Sequence, residues 1–179
     1  MKNNLITKGK ELAFLLRHDK DAYKEGKIDK KGWRSVKDLI QNHGYTKDLL
    51  KEIVDTNEKK RYEFDSSGTK IRARQGHSIP VDVDLKETLP PDLLYHGTTG
   101  RFLDPIKKEG IISKSRLYVH LSYDQETAKN VGSRHGKPII LVIDSKKMRE
   151  DSIKFYLSTN DVWLTEKVDP KYIKEIIFP

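Results

Sequence analysis

The first third of the chain carries apolar residues at the spacing of amphipathic helices. One stretch predicts a helix over residues 5–18, because its apolar positions recur on roughly one helical face. Those positions are Leu5, Leu12, Leu15 and Leu16. The same spacing predicts a helix from Ser35, as its capping residue, through Gln41, and a third helix that begins at Thr46.

An alternating pattern follows the third helix. Residues 61–64 alternate, residues 65–68 have the composition of a tight turn, and residues 70–73 form the returning strand of a hairpin. Three helices followed by a hairpin are typical of a winged helix. The N-terminal part of the chain is therefore predicted to form a winged-helix lobe.

A change of pattern marks the boundary between two lobes. Residues 79–92 are acidic, contain three prolines and lack helical periodicity, so we interpret them as a linker. The predicted domains are residues 1–85 and residues 86–179. In the second domain short strands alternate with helices, which predicts an α+β lobe with a mixed or antiparallel sheet.

The predicted elements of the second lobe are short. Its strands cover residues 93–96, 117–121, 138–144, 153–157, 162–165 and 173–178. One helix is predicted over residues 102–109, and another runs to Val131 from a capping box of Ser122 and Gln125. The run at 138–144 is almost wholly apolar, so we expect it to be a buried strand.

Composition narrows the class of protein. Of the 179 residues, 35% are hydrophobic and 35% charged, which is typical of folded globular proteins. The absence of cysteine excludes disulfides and thiolate–zinc sites. No run is apolar and long enough to span a membrane and no signal-peptide core follows the N-terminus, so we expect a cytoplasmic protein without a membrane partner. The net charge of +8 favours nucleic acid or another polyanion as partner.

Five of the six histidines lie beside, or two positions from, an arginine or a small turn residue, where the backbone can approach a ligand and offer N–H groups to it. These five are His18, His77, His96, His120 and His135. The sixth, His43, precedes Gly44 and is typical of a helix C-terminus. The pattern predicts a site for an anionic, hydroxyl-rich ligand. No histidine has a cysteine or a second histidine at metal-ligand spacing, so no metal is expected.

Each candidate motif also has an ordinary structural explanation. Arg17-His18 would suit the dipole at a helix C-terminus, and residues 59–61 could be a solvated charge run. Arg116 could be a plain surface residue. Residues 72–78 combine two arginines, an amide and a Gly-His-Ser turn, which suits contacts with phosphate and ribose but also a turn between domains.

Three later segments combine histidines with hydroxyls or glycines. They are residues 95–98, 118–122 and 131–136. In the second of them, strand alternation puts Tyr118, His120 and Ser122 on one face. A strand end, a helix cap and a solvent loop are the ordinary alternatives. The chain has neither a Gly-x-Gly-x-x-Gly sequence nor a P-loop, which argues against Rossmann-type and Walker-type nucleotide sites.

Taken together, these segments resemble the motifs of the RNA 2′-phosphotransferase family, in order and over nearly the whole chain. The matching segments are Leu16-Arg17-His18, Lys60-Arg61-Tyr62, Ile71-Arg72-Ala73-Arg74-Gln75-Gly76-His77-Ser78, Leu94-Tyr95-His96-Gly97-Thr98, Tyr118-Val119-His120-Leu121-Ser122, Val131-Gly132-Ser133-Arg134-His135-Gly136 and Val162-Trp163-Leu164-Thr165. Each motif alone is weak, whereas seven in register are specific. The resemblance implies an N-terminal winged-helix lobe and a C-terminal lobe of ADP-ribosyltransferase type.

The resemblance also implies a reaction. Members of the family move an internal RNA 2′-phosphate, as at a tRNA splice junction, onto NAD⁺ through an RNA-2′-phospho-ADP-ribose intermediate. The products are RNA with a free 2′-hydroxyl, ADP-ribose 1″,2″-cyclic phosphate and nicotinamide. The implied co-substrate is therefore NAD⁺. The implied partner is an RNA, expected to be tRNA, and the family suggests a monomer.

Site residues are implied position by position. The family's catalytic Arg-His-Arg-Arg set corresponds to Arg17, His18, Arg61 and Arg116. The predicted NAD-binding residues, which include the two signature histidines, are His96, Gly97, Thr98, His120, Ser122 and Arg134. The third signature position, often glutamate in protein-modifying relatives, is hydrophobic in this family and falls on Val162. The chain departs from the family at Asp161, where glycine is usual, and at Arg74, where a small residue is common.

Two other classes of function stay open. One is an ADP-ribosyltransferase that modifies a protein or a nucleic-acid end, with Glu166 as its acidic residue. The other is a winged-helix RNA- or DNA-binding regulator without catalysis. The second class accounts for the basic N-terminal half but gives His96 and His120 no role.

Overall fold

The computed structural model describes residues 2–179, with side chains from residue 4 onward. The chain divides into two compact units, Met1–Asp84 and Leu85–Pro179. The point of division falls within the acidic stretch 79–92. Each unit has a hydrophobic core of its own.

The first unit consists of four helices and a small sheet. Its elements are α1 (Lys2–Arg17), α2 (Lys20–Lys24), β1 (Arg34–Ser35), α3 (Val36–His43), α4 (Lys47–Asp55), β2 (Tyr62–Phe64) and β3 (Lys70–Ala73). The sheet has the order β1-β3-β2, and both pairings are antiparallel. The predicted hairpin is thus confirmed, whereas the one-turn helix α2 was not predicted.

The amphipathic spacing places the core of the first unit where the sequence predicts it. Leu12 and Leu16 of α1 are fully buried against Leu39, Leu50 and Ile71 from the other elements. The helix begins at Lys2 rather than at residue 5 and ends at Arg17 rather than at residue 18.

The helix termini follow local chemistry. The Thr46 side chain accepts a hydrogen bond from the Leu49 N–H and caps α4. Ser35 precedes α3 in extended conformation, but its side chain makes no capping hydrogen bond. At the other end of α3, Gly44 adopts a left-handed φ of 65°, which confirms the predicted helix C-terminus at His43.

A buried arginine that the sequence analysis did not single out joins the helices of the first unit. Arg34 is 1% exposed and donates from Nη1 to the Leu15 carbonyl (3.0 Å) and to Asp19 Oδ2 (2.8 Å). Its Nε donates to Asp38 Oδ2 (2.7 Å) and its Nη2 donates to His43 Nε2 (2.9 Å). Burial is the largest influence on the pKa of Asp38 and would raise it, but the hydrogen bonds from Arg34 and Asn42 and the nearby positive charges together lower the pKa.

The second unit is built from short strands and three helices. Its elements are β4 (Lys86–Glu87), β5 (Leu93–Thr99), α5 (Gly100–Glu109), β6 (Ile111–Ile112), β7 (Val119–Leu121), α6 (Gln125–Gly132), β8 (Pro138–Asp144), α7 (Ser145–Glu150), β9 (Tyr156–Leu157), β10 (Trp163–Thr165), β11 (Lys167–Val168) and β12 (Ile173–Ile177). Two 3₁₀ turns lie at Ser133–His135 and Pro170–Tyr172.

All described strand pairings are antiparallel. One sheet has the order β12-β8-β5, a second has the order β4-β9-β10-β7, and β11 pairs with β6. Together with the helices, these sheets confirm the α+β class. Residues 139–143 of β8 are all buried, as the apolar run predicts.

Several details of the second unit differ from prediction, among them the short strands β4, β6 and β11, which were not predicted. The strand expected at 153–157 covers only Tyr156–Leu157, and α7 was not expected. The capping box of Ser122 and Gln125 is wrong, because the Asp124 side chain caps α6 by accepting from the Thr127 N–H (2.7 Å). The backbone of Ser122 instead forms an isolated bridge with Tyr95.

No helix within residues 2–179 is both long enough and apolar enough to cross a membrane.

Candidate active site

The first unit holds Arg17 at the last position of α1. Arg17 is only 8% exposed, and its guanidinium lies over the ring of Tyr62, 5.8 Å from the ring centre. Tyr62 is itself buried and donates its hydroxyl to the Gly9 carbonyl. Strand β2 therefore supplies a fixed aromatic surface for the arginine, with a cation–π geometry.

Arg61 directly precedes Tyr62 and β2. Its backbone N–H donates to Asn57 Oδ1 (3.0 Å), and its carbonyl accepts from the Arg74 N–H (2.9 Å). Burial raises the pKa of Tyr62, while the positive charges of Arg17 and Arg61 oppose that rise. Both predicted arginines of this unit thus act on one tyrosine.

His18 follows α1 and faces the segment 75–78. Its Nδ1 lies 2.9 Å from the Ser78 hydroxyl. The Ser78 N–H donates to the Arg17 carbonyl (3.0 Å), so one residue contacts both members of the Arg17-His18 pair. Gly76 has a left-handed φ of 88°, and a Cβ there would lie 3.5 Å from the Arg17 guanidinium carbon.

His77 is a buried, neutral histidine rather than a ligand-facing one. It is 3% exposed, and burial, followed by the charges of Arg17 and His18, lowers its pKa to about 3. Among the described residues, its Nε2 has no hydrogen-bond partner. The imidazole is therefore uncharged at neutral pH and anchors the segment in the interior.

The second unit links three of the predicted residues. His96 Nδ1 lies 3.1 Å from the His120 carbonyl, which accepts its hydrogen. Arg116 donates from Nη1 to His120 Nδ1 (3.1 Å). Burial lowers the pKa of His96, and the hydrogen bond to His120 opposes that shift only in part, so His96 is neutral.

The end of β5 combines tight packing with a free hydroxyl. A Cβ on Gly97 would lie 1.8 Å from the Ala128 carbonyl oxygen, so α6 packs directly on the strand backbone there. Thr98 and Thr99 are buried, and within the described chain the Thr99 hydroxyl has no hydrogen-bond partner. Strand β5 thus ends in hydroxyl groups beside a close helix.

The remaining predicted residues lie at the edges of this unit. Ser122 is half-buried and bridges to Tyr95, while Arg134 is exposed in the 3₁₀ turn 133–135. Val162 is half-buried just before β10, and its N–H donates to the Ser158 hydroxyl (3.0 Å).

The structure shows the surroundings of Asp161 and Arg74, the two positions that depart from the family pattern. Asp161 adopts a left-handed φ of 61°, in a turn closed by its N–H on the Ser158 carbonyl (3.0 Å). Such a conformation favours glycine, which explains the usual residue at this position. Arg74 forms an ion pair with Glu63 (3.5 Å). A small residue at position 74 could not form this ion pair.

No group of three or more histidine, cysteine, aspartate or glutamate residues within the described part of the chain is placed to hold a metal ion. The described candidate residues are arginines, imidazoles and hydroxyls. This donor set suits phosphates and ribose hydroxyls.

Comparison with known proteins agrees with these features. The family model described as "RNA 2'-phosphotransferase, Tpt1 / KptA family" matches residues 3–167. A protein of Fusobacterium nucleatum is 49% identical over 178 residues, which cover 96% of this chain and 99% of that protein. One from Flavobacterium johnsoniae is 48% identical (92% and 93% covered), and one from Escherichia coli O6:K15:H31 is 44% identical (95% of each). All three bear the name "Probable RNA 2'-phosphotransferase". The chain belongs to the RNA 2′-phosphotransferase family.

Proposed function

We propose that this protein transfers an internal RNA 2′-phosphate to NAD⁺ through an RNA-2′-phospho-ADP-ribose intermediate. The products are 2′-hydroxyl RNA, ADP-ribose 1″,2″-cyclic phosphate and nicotinamide. The observation that carries the proposal is the placement of the Arg17 guanidinium over Tyr62, with His18 next to Arg17 in the chain and Arg61 next to Tyr62. Two cations and an imidazole suit a phosphate monoester, which bears nearly two negative charges at neutral pH.

The first step needs orientation more than acid–base catalysis. A 2′-phosphate oxygen attacks C1″ of the nicotinamide ribose, and the C1″–N bond breaks with its electron pair going to nicotinamide. The phosphate is already anionic and nicotinamide leaves as a neutral molecule, so neither a general base nor an acid is required. The apolar side chain of Val162, at the position where protein-modifying relatives carry glutamate, fits this chemistry.

The second step gathers charge on the phosphoryl group. The ribose O2″ attacks phosphorus, the bond to the RNA O2′ breaks, and the proton lost from O2″ is balanced by one gained at O2′. We assign Arg17, Arg61 and Arg116 to the phosphoryl oxygens, because such preorganised charges stabilise the transition state. His18 hydrogen-bonds the phosphate or assists the proton transfer.

The second unit would bind NAD⁺. We assign this role to the predicted set His96, Gly97, Thr98, His120, Ser122 and Arg134. The neutral imidazole of His96 and the buried hydroxyls that end β5 fit ribose hydroxyls, while the exposed Arg134 fits a pyrophosphate. The hydrogen bond from Arg116 to His120 would join the phosphate-binding and NAD-binding residues of this unit.

These assignments extend to the two units as wholes. We propose that the first unit is a winged-helix lobe that binds RNA and that the second is an ADP-ribosyltransferase-like lobe that binds NAD⁺. Helices α1, α3 and α4 and the antiparallel hairpin of β2 and β3 support the former, and the antiparallel sheets of the second unit support the latter. The RNA would be tRNA with a splice-junction 2′-phosphate, and the enzyme a cytoplasmic monomer.

The test is NAD⁺-dependent loss of phosphate from an RNA oligonucleotide that carries one internal, labelled 2′-phosphate. Wild-type protein should release the label as a cyclic phosphate. Arg61→Ala should accumulate RNA-2′-phospho-ADP-ribose, since loss of one such contact slows the second step by about 10²-fold or more. Lys51→Ala, which removes an exposed cation of α4, is the matched control and should behave as wild type.

Each other outcome has a defined meaning. Normal turnover by Arg61→Ala without intermediate would contradict the role of Arg61. If wild-type protein leaves the 2′-phosphate in place, the proposed function is wrong. With adenylate-labelled NAD⁺, label retained on a protein or a nucleic-acid end would indicate an ADP-ribosyltransferase, whereas oligonucleotide binding without any NAD⁺-dependent change would indicate a regulator.

A further inference from the structure

The segment 75–78 packs along the end of α1 at several points. Gly76 approaches the Arg17 guanidinium, and the N–H groups of Ser78 and Ile79 both donate to the Arg17 carbonyl (3.0 and 3.4 Å). The Ser78 hydroxyl then reaches His18 Nδ1 (2.9 Å).

Burial fixes the segment on both sides of Gly76. Gln75 and His77 are 9% and 3% exposed, and Ile79 is 1% exposed. A residue held between buried neighbours has little freedom to move. The Ser78 hydroxyl is therefore a defined point against which the imidazole of His18 can be set.

We propose that Ser78 is a positioning residue: its hydroxyl holds Nδ1 of His18, so that Nε2 is the ring nitrogen presented to the RNA 2′-phosphate. The proposal rests on the proposed function for the identity of the phosphate. The contact between Ser78 and His18 can be tested without it.

The chemical reason lies in the two nitrogens of imidazole. A hydrogen bond at one nitrogen fixes the plane of the ring, and with it the direction in which the other nitrogen points. A hydroxyl such as that of Ser78 can hold Nδ1 whether this nitrogen donates or accepts. Without that bond the ring of His18 would rotate about its side-chain torsions. A misplacement of about 1 Å at a reacting group can cost about 10²-fold in rate.

The kinetic test compares Ser78→Ala with Ser78→Thr, which keeps the hydroxyl. Single-turnover decay of the RNA-2′-phospho-ADP-ribose intermediate should slow about 10- to 100-fold in Ser78→Ala. The pH dependence of that decay should also change, and Ser78→Thr should restore most of the rate. Ser66→Ala, in the exposed turn of the same unit, is the matched control and should leave both unchanged.

A double-mutant cycle separates positioning of His18 from a general structural effect. In the His18→Ala background, adding Ser78→Ala should slow decay less than about 2-fold, because the side chain on which Ser78 acts is gone. An equal loss in both backgrounds would overturn the proposal. So would a Ser78→Ala protein with wild-type rate and pH profile.

A spectroscopic measurement gives an answer even if the enzyme acts on another substrate. Long-range ¹H–¹⁵N spectra of imidazole-labelled protein report hydrogen bonding at each ring nitrogen. The Nδ1 signal of His18 should shift in Ser78→Ala, with the signals of His77 unchanged. An unchanged Nδ1 signal of His18 would overturn the proposal, whereas failure to transfer phosphate would contradict only the proposed function.

Discussion

At the scale of the residue, the buried imidazole of His77 makes the stability of the fold depend on pH. His77 lies in the interior of the first unit, where burial and the charges of Arg17 and His18 disfavour its protonation. Its pKa falls to about 3, compared with roughly 6.5 for histidine in an unfolded chain. The folded protein therefore excludes a proton that the unfolded chain accepts.

This difference predicts a dependence of stability on pH. Between about pH 6.5 and pH 3 the unfolded chain binds one more proton at His77, so the free energy of unfolding falls as pH is lowered. We expect a loss of up to about 1.4 kcal/mol per pH unit from this residue. Urea unfolding between about pH 5 and pH 6.5 should show a smaller slope for His77→Gln than for wild type. Identical slopes would contradict the neutral, buried state of His77.

At the scale of elements, the close packing of α6 on β5 requires glycine at position 97. The backbone of Gly97 meets the Ala128 carbonyl, and Gly132 in turn lies close to the Thr98 backbone. Two glycines thus let helix and strand approach without intervening side chains. The predicted NAD-binding residues at the end of β5 depend on this approach for their placement.

We therefore expect Gly97→Ala to destabilise the second unit. The added Cβ would lie 1.8 Å from the Ala128 oxygen, so the helix must shift, at a cost of about 3 kcal/mol or more. Gly9→Ala in α1 is the matched control. A Cβ there meets nothing within 4 Å, and the gain in helix propensity should stabilise the protein by about 0.5–1 kcal/mol. Chemical denaturation of both variants tests the contrast, and a Gly97→Ala protein of wild-type stability would refute the packing argument.

At the scale of the whole molecule, net charge bears on substrate binding. The chain carries +8, and the proposed RNA substrate is a polyanion. Binding to a single-stranded polyanion releases counterions, so log K falls with log salt by about 0.7 per neutralised phosphate. NAD⁺ has far fewer phosphates and should respond less.

We expect the affinity for a 2′-phosphorylated oligonucleotide to fall steeply between about 50 and 200 mM salt. Fluorescence anisotropy of the labelled RNA gives that slope, and titration of NAD⁺ in the same buffers is the internal control. Equal salt dependence for both ligands would argue against RNA binding that is driven by the positive charge of the protein.

The sequence alone predicted much of the local architecture and the family. The spacing of apolar residues predicts the helices with buried leucines, the hairpin of β2 and β3 and the apolar strand β8. It does so because each kind of backbone places one face towards the core at a fixed period. Seven motifs in register identified the family, since motif order is a property of the chain itself. The roles of the individual site residues stay predictions.

Only the tertiary structure decided the contacts between residues distant in sequence. Ser78 contacts His18 across 60 positions, and Arg34 bonds to Leu15 of α1, to Asp38 of α3 and to Asp19, which precedes α2. The backbone of Ser122 pairs with Tyr95, and the side chain of Asp124 caps α6. The local sequence alone does not distinguish Asp124 from Ser122 as the capping residue. Local spacing specifies which face of an element is apolar, whereas packing of those faces determines which polar groups meet.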